Sequence, residues 1–333
     1  MIAYKLNFTA PLHVDSQGTS FYEKADEFVH SDTLTAAIIS CWRYLYDDSV
    51  DELAAHPPFT LSSAFPYYSD IYFFPRPLVD IFHEPEDGSE SKTIKKIKWL
   101  SQPLFEQVLS GTLIDWNKER PELFAETFAL LRDEAECLEE KSKSFRLMTV
   151  LERPRIAVNR IKDSAEEGSL FYFAEHYFRE EAGLFFLAEF KNGTTRKKLD
   201  AVLQLLGDQG IGADRSVGKG TFIVEVDDLL ELELPNDPEL WITLSLYNPD
   251  RGEVKNGLLN EAAYDLTTRG GWISGTSLKK PPIKMFTEGS VFKQKPEGRT
   301  VGLFSEQQWK LLGLKNPILR HGRAFCLPMK GPK

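Results

Sequence analysis

Only three of the 333 residues are cysteine, at positions 41, 137 and 326. Three distant thiols make neither a disulfide framework nor a zinc spacing, and they suit a reducing compartment, so a cytoplasmic protein is expected. Histidine is also scarce: His13, His30, His56, His83, His176 and His321. None belongs to a His-x-x-x-His metal pair, and neither a Gly-x-Ser-x-Gly elbow nor a Cys-His signature occurs, so no metal or cofactor is expected. No apolar run reaches the roughly 18 residues a membrane span needs. The start, Met1-Ile2-Ala3-Tyr4-Lys5-Leu6-Asn7-Phe8, is a strand pattern without the basic start and apolar core of a secretion signal. Positive charge is in deficit too. A net charge of −10 argues against a generic nucleic-acid binder. An apolar content of 42% with 12% aromatics indicates a folded chain, long enough for one large core or two moderate ones. No repeat of solenoid length is present.

The charge is unevenly spread. Residues 119–140 hold eight acids and two bases and read as a solvated acidic helix that suits a protein partner. Residues 141–162 hold seven bases and one acid, and 266–299 seven bases and two acids. An acidic protein can therefore still carry a basic groove.

The densest glycine stretch is Gly210-Ile211-Gly212-Ala213-Asp214-Arg215-Ser216-Val217-Gly218-Lys219-Gly220. Before it, Leu199, Val202, Leu203 and Leu206 mark one face of a helix that Thr195 can cap and Gly207 can end. After it, residues 221–226 read as a β-branched strand. The order helix, loop, strand excludes a nucleotide P-loop, which runs strand, loop, helix and ends in Gly-Lys-Ser/Thr, and it excludes the dinucleotide fingerprint likewise. What remains is a run of backbone N–H groups with Arg215 and Lys219 upon it, able to wrap an extended polyanion; a plain surface connection would have the same composition.

Along the rest of the chain, residues 3–8 form a first strand and 10–29 a long loop. His30-Ser31-Asp32-Thr33-Leu34 opens a helix with Ser31 or Asp32 as N-cap and Leu34, Ala37, Ile38, Cys41 and Leu45 as its buried face. Its N-terminus offers a second phosphate contact. Residues 64–68 and 71–77 make an aromatic hairpin whose prolines confine the second run to an edge or strand end. The 83–92 segment is polar, 92–100 a strand or helix, and 103–111 a short helix. Arg153-Pro154-Arg155-Ile156-Ala157-Val158-Asn159-Arg160 is a strand, with Arg153, Arg155 and Arg160 facing one groove and Ile156 and Val158 packed behind. A turn over 162–169, a strand over 170–175 and another over 183–190 follow. Pro235-Asn236-Asp237-Pro238 reads as a boundary.

Several of these segments resemble one family. The glycine-rich loop between a second helix and a fourth strand is similar to that of the RAMP superfamily, the RNA-binding proteins of CRISPR systems. A strand, a loop and then His-Ser-Asp-Thr-Leu resembles the opening of its Csm-type subunits. Phe74-Pro75-Arg76-Pro77 is similar to their Phe-Pro-Lys-Pro, and Arg153-Pro154-Arg155 to their Arg-Pro-Arg segment. Arg269-Gly270-Gly271-Trp272, Glu288-Gly289-Ser290 and His321-Gly322 look like their Arg-x-Gly-Trp, Glu-Gly-Ser and His/Tyr-Gly segments. The matches run in order along nearly the whole chain and are weakest over 77–140.

The resemblance implies an α+β fold of two ferredoxin-like (RRM-like) domains with insertions, over 1–232 (76–145 least matched) and 236–333. It also implies a β-hairpin thumb, near 153–175 or within 77–98. It implies an RNA-binding subunit of a type III-A interference complex that holds the 5′ repeat-derived tag of the CRISPR RNA, near the target RNA. Its partners would be the large polymerase/cyclase-like subunit and a backbone RAMP subunit, with no membrane. The RNA-contacting set is then His30, Ser31, Arg153, Arg155, Arg160, Gly210, Gly212, Arg215, Ser216, Gly218, Lys219, Gly220, Arg269, Gly270, Gly271, Trp272 and Lys284. Glycines would let the RNA backbone approach, cations would neutralise phosphates, and Phe8, Trp272 and Phe222 would stack bases. No residue is assigned to catalysis. Relatives that cut target RNA carry their acid in another loop, so that role does not pass to Asp32. Two other readings stand beside this one. A CRISPR RNA-processing endonuclease would use His13 or His30 to activate a ribose 2′-hydroxyl. The equivalent type III-B (Cmr) subunit, or a lone RRM-like module, would bind RNA in other company.

Overall fold

The computed structural model describes residues 1–15, 22–83, 90–118, 120–138, 146–159, 164–274, 276–314 and 316–333. Its centre is a nine-stranded sheet. The strand Ile2–Phe8 lies between Phe222–Asp227 and Ala182–Phe190, antiparallel to both. Ala182–Phe190 pairs in turn with Phe65–Tyr68. Counted along the chain as first, second, third and fourth strands, the spatial order is four, one, three, two. The helices Ser31–Leu45 and Gly193–Gln209 supply the two crossovers. This is the ferredoxin-like arrangement expected, and the fold is α+β.

The segment that matched least extends this same sheet. Ile71–Pro75, Trp99–Ser101, Phe128–Leu130 and Glu122–Phe124 follow in that order beyond Phe65–Tyr68. Pro75 ends its strand, where a missing N–H costs no ladder bond. Residues 92–100 divide between the helix Ser91–Lys96 and the strand Trp99–Ser101. The solvated acidic helix expected over 119–140 does not form. Phe124, Phe128 and Leu130 are buried in two strands, and only Arg132–Cys137 is helical. The many acids suggested a solvated helix, but the short apolar runs over 123–125 and 128–131 are what fold.

The sheet is buried on both faces. Tyr4, Leu6, Leu184, Phe186 and Val224 pack beneath the two crossover helices against Leu34, Ile38, Trp42, Leu199 and Leu206. Ala3, Phe65, Phe74, Phe185 and Leu187 face the other way, against Phe105 of the helix Gln102–Leu109 and Ile242, Leu244, Phe325 and Leu327 of the C-terminal part. A central strand covered on both faces needs no polar alternation, so Leu184, Phe185, Phe186, Leu187 and Ala188 form an unbroken apolar run. The C-terminal part completes this second core with strands Leu240–Thr243, Val291–Phe292 and Cys326–Met329. Its other pairs are Leu266–Arg269 with Ile283–Phe286 and Gly298–Gly302 with Leu319–Arg323.

The local rules acted at different residues from those expected. The helix Ser31–Leu45 is capped by His30 without a side-chain bond, and Ser31 and Asp32 are its first, buried, positions. Trp42 is buried while Leu45 is exposed. The helix Gly193–Gln209 is capped by Asn192, whose side chain accepts from the Thr195 amide, and ends at Gly210. Gly207 is helical, and a Cβ there would strike the carbonyl oxygen of Phe222. A long hairpin, Met148–Asn159 with Ser164–Phe178, stands apart from the main sheet. Its second strand therefore begins inside the expected 162–169 turn. Ile156 is exposed instead of packed.

Candidate nucleic-acid interface

Three distant stretches meet around one groove of about 360 Å³. The glycine-rich loop contributes Ile211, Gly212, Ala213 and Arg215; the first helix contributes His30, Thr33 and Ala37; the C-terminal part contributes Arg269, Gly271, Trp272 and Lys280. His13, Asp15, Tyr22, Asp26 and Phe28 line the remaining side.

The glycine-rich loop is shaped from inside. Ile211 N donates to Gly220 O at 2.9 Å, Ala213 N to His13 O at 2.9 Å and Gly220 N to Pro11 O at 2.9 Å. A Cβ on Gly210, Gly212 or Gly220 would collide with the carbonyl oxygens of Lys219, His13 and Ile211 respectively. These glycines therefore serve the close approach of the protein's own backbone, where the sequence reading gave them to RNA. Gly218 differs: nothing lies within 4 Å of its Cβ position, and it sits on the exposed rim beside Ser216. The loop turns through the short 3₁₀ segment Arg215–Val217. Arg215 is exposed and has no ion pair among the described residues.

The other cations near the loop are engaged. Glu175, buried on the hairpin, meets Lys219 Nζ at 3.3 Å, Arg155 Nη2 at 3.1 Å and Arg153 Nε at 3.2 Å. Arg155 also pairs with Asp214 and lies over the Phe173 ring at 4.0 Å. Burial pushes the Glu175 carboxyl up, but bonds from Tyr177 and Lys219 and the charge of Arg153 outweigh it and hold the group below the usual range. Lys219 on Glu175 and Arg155 on Asp214 thus fasten the hairpin to the loop, while Arg153 is held within the hairpin, and together they leave a reduced positive field for phosphates. Arg160 lies outside the described residues.

The first helix starts at a polar seam with the C-terminal part. Asp32 is fully enclosed and accepts from Arg269 Nη2 at 2.8 Å, Arg269 Nε at 3.1 Å and Arg320 Nη1 at 2.5 Å. Burial alone would raise its pKa; the two guanidinium groups hold it far below the ordinary carboxylate range. His30 Nδ1 lies 2.8 Å from Glu288 Oε1, which also accepts from Ser63. Ser31 Oγ accepts from the Leu246 amide at 3.0 Å. Ser31 is thus a seam residue off the groove, while His30 belongs to both. Gly270 is buried and its carbonyl accepts from Arg320. Gly271 has φ +108° and open space at its Cβ position. Trp272 is 41% exposed with Lys279 Nζ 5.0 Å from its ring centroid. Phe8 stacks on Phe178 at 4.8 Å and Phe222 is buried, so of the three expected stacking platforms Trp272 alone presents its ring to the groove. Lys284 is exposed on its strand and does not line the groove.

Sequence reasoning missed Lys280, Thr33 and the side lined by His13, Asp15, Tyr22, Asp26 and Phe28. Lys280 had a signal, the Lys279-Lys280 pair just beyond the Gly-Gly-Trp turn. His13 was considered only as a nuclease histidine; its Nδ1 bonds the Ala174 carbonyl at 2.7 Å and its ring stacks on Phe173 at 4.2 Å.

Comparison with known proteins places the fold in a family. The model of the RAMP superfamily matches residues 5–223. The chain belongs to the RAMP superfamily. A second model, the CRISPR Csm4 C-terminal domain, matches residues 236–329 of this RAMP chain. A relative from Thermococcus onnurineus, "CRISPR system Cms protein Csm4", is 26% identical over 282 residues, 82% of this chain and 81% of its own length. The structure is similar to one in the Csm3-Csm4 subcomplex of the type III-A CRISPR-Cas interference complex, with TM-score 0.70, 21% identity and coverage of 99% and 100% of the two chains. It is also similar to one in a Csm1-Csm4 cassette in complex with cA4, with TM-score 0.60, 20% identity and coverage of 100% and 98%. At these identities the two structural likenesses establish the RAMP fold, which the strand order above had already indicated.

Proposed function

We propose that this chain is the type III-A effector subunit that holds the 5′ repeat-derived tag of the CRISPR RNA and joins the large polymerase/cyclase-like subunit to the backbone RAMP filament. One observation carries the RNA-binding part. The glycine-rich loop, the start of the first helix and the Arg269–Trp272 stretch, separate in sequence, line one groove with cations and an exposed tryptophan. Single-stranded RNA asks for this combination: positive charge for the backbone and a ring face for a base. The partners are supported by the relatives, which are solved with Csm3 and with Csm1. The unit boundaries at 1–232 and 236–333 and a cytoplasmic setting belong to the same reading.

The subunit has no catalytic part in it. His13 and His30 each commit Nδ1 to an acceptor in the packed structure, Ala174 O and Glu288, which suits positioning of the groove walls. The hairpin Met148–Asn159/Ser164–Phe178 is the thumb of this reading; its tip lies outside the described residues.

The test is incubation of the purified chain with labelled CRISPR repeat RNA, without metal, read on a denaturing gel and by filter binding. Uncut RNA held in a salt-sensitive complex is expected. Cleavage within the repeat that disappears in His13→Ala or His30→Ala would make the chain a processing nuclease instead. Co-purification with the large subunit and the backbone subunit tests the bridging role, and failure to associate with either would remove it.

A further inference from the structure

Lys280 closes one wall of the groove. Its amide donates to the Gly271 carbonyl at 2.8 Å, which folds the 271–280 loop back and sets the Lys280 side chain beside Arg269 and Gly271. The charges around it do not balance. Arg269 and Arg320 are both buried and both bind Asp32; their remaining bonds go to neutral acceptors, the Thr33 hydroxyl and the Gly270 carbonyl. Asp32 also accepts from the Thr33 amide at 2.8 Å, so its two oxygens are filled. Glu288 is taken up by His30 and Ser63. Lys280 itself has no carboxylate partner among the described residues. Arg269 Nη1 and Arg320 Nε are buried without an acceptor. Arg269, Arg320 and Lys280 therefore crowd around Asp32 at the edge of an open groove, with the charges of Asp26 and Glu288 acting in addition on Arg269, and Lys280 is left with no carboxylate bonded to it among the described residues; a partly buried cation without a bonded partner costs free energy until an anion arrives.

Building on the reading above, we propose that Lys280 seats one phosphodiester of the bound RNA and that filling this seat takes up a proton. Burial, followed by the nearby charge of Arg320, pushes the Lys280 ammonium down to about 8, against the pull of Asp32. A phosphate placed against it favours the charged form and raises that value, so the complex holds a proton that part of the free protein lacks. Arg269, Arg320 and Arg215 stay charged throughout. Burial pushes His321 down to about 4, and Asp32 stays ionised. His30 is bonded to Glu288, and His13, Asp15 and Asp26 also line the groove, the charge of Asp26 acting on Arg269.

The test is filter binding of repeat-derived RNA to the full chain at pH 7, 8 and 9 and fixed ionic strength. A control RNA of A and C only is run beside it, because none of its bases loses a proton in this range. Wild type should lose affinity about tenfold from pH 7 to 9, following the protonated fraction of a group of that pKa. Lys280→Arg keeps its charge throughout, so its affinity, whatever its level at pH 7, should stay flat to pH 9. Lys280→Gln should be weak and flat, with thermal unfolding checking its fold. Arg215→Ala should bind more weakly at every pH yet keep the tenfold decline. Tight wild-type binding that is flat in pH, or a decline that persists in Lys280→Arg, overturns the seat and leaves RNA binding intact. Absence of binding at every pH and low salt overturns the functional reading with it.

Discussion

Asp32, the second residue of the first helix, holds the Arg269 guanidinium through two hydrogen bonds across 237 positions of sequence, with no solvent access to its side chain. Arg320 binds the same carboxylate. The pair ties the first helix to the C-terminal part and fixes the wall on which Gly271 and Trp272 stand. Asp32→Asn leaves two buried guanidinium groups without a counter-charge and should destabilise the protein by about 3–5 kcal/mol. The pH dependence has a definite sign. The folded-state pKa is depressed, so this contribution is complete above the unfolded value of about 3.9 and fades as pH falls below it. Urea unfolding of wild type and variant at pH 7 and pH 3 checks this: the gap should be wide at pH 7 and only about 1 kcal/mol smaller at pH 3, where the folded carboxylate is still ionised.

Glu175 plays the corresponding part for the hairpin. Glu175→Gln should loosen Arg153, Arg155 and Lys219 together, for a loss of about 2 kcal/mol, since the half-exposed arginines regain water. Hydrogen exchange should quicken in 148–156, 170–178 and 215–220 and stay unchanged in the strand Ala182–Phe190. If the strand quickens equally, Glu175 supports the whole fold and not this junction. The carboxyl sits below its usual pKa, so the junction holds at neutral pH and weakens as pH falls through the carboxylate range.

These two carboxylates also show where the sequence stops being legible. Individual elements followed from local patterns, because strand and helix periods are written in neighbours: Leu199, Val202, Leu203 and Leu206 on one face, Thr221 to Val226 in a β-branched run; their ferredoxin-like arrangement came from resemblance. The groove followed less completely. Arg269, Gly271 and Trp272 were found by resemblance, and Arg215 by its place among glycines. Asp32 looked like a cap because Ser-Asp-Thr is cap chemistry, and only the arrival of Arg269 and Arg320 from far along the chain turned it into a buried counter-ion. Arg153, Arg155 and Lys219 looked free for phosphate because Glu175, which neutralises them, is a lone acid within an apolar strand. Pairing across a fold has no period and leaves no local trace. The acidic 119–140 stretch failed for the opposite reason: the charges were visible, and the short strands carrying Phe124 and Phe128 were not weighed against them.

Two glycines of one loop should answer differently to the same substitution. Gly220 has φ +69° and meets the Ile211 carbonyl where a Cβ would stand. Gly220→Ala must open the loop, and a loss of several kcal/mol is expected, as for other overpacked sites with forced backbone shifts. Gly218 has φ +81° but open space around it, so Gly218→Ala bears only the left-handed backbone cost of about 1–2 kcal/mol. Thermal unfolding separates them. Equal losses would mean that backbone conformation, not the close approach of two carbonyls, sets the need for glycine.

The exposed members of the groove test binding without disturbing the fold. Trp272 is 41% exposed, and Arg215 has no ion pair among the described residues, so alanine at either should leave stability within about 0.5 kcal/mol. Their effects on RNA binding should differ in kind. Arg215→Ala removes one phosphate charge, so the slope of log affinity against log salt should flatten by about 0.7, the single-strand value for one contact. Trp272→Ala removes a ring face, so affinity should fall by about 1–3 kcal/mol at every salt concentration with the slope unchanged. Binding titrations across a salt series distinguish the two. A Trp272 variant that changes the slope and spares the intercept would show that the ring orders Lys279, which lies over it, and does not stack a base.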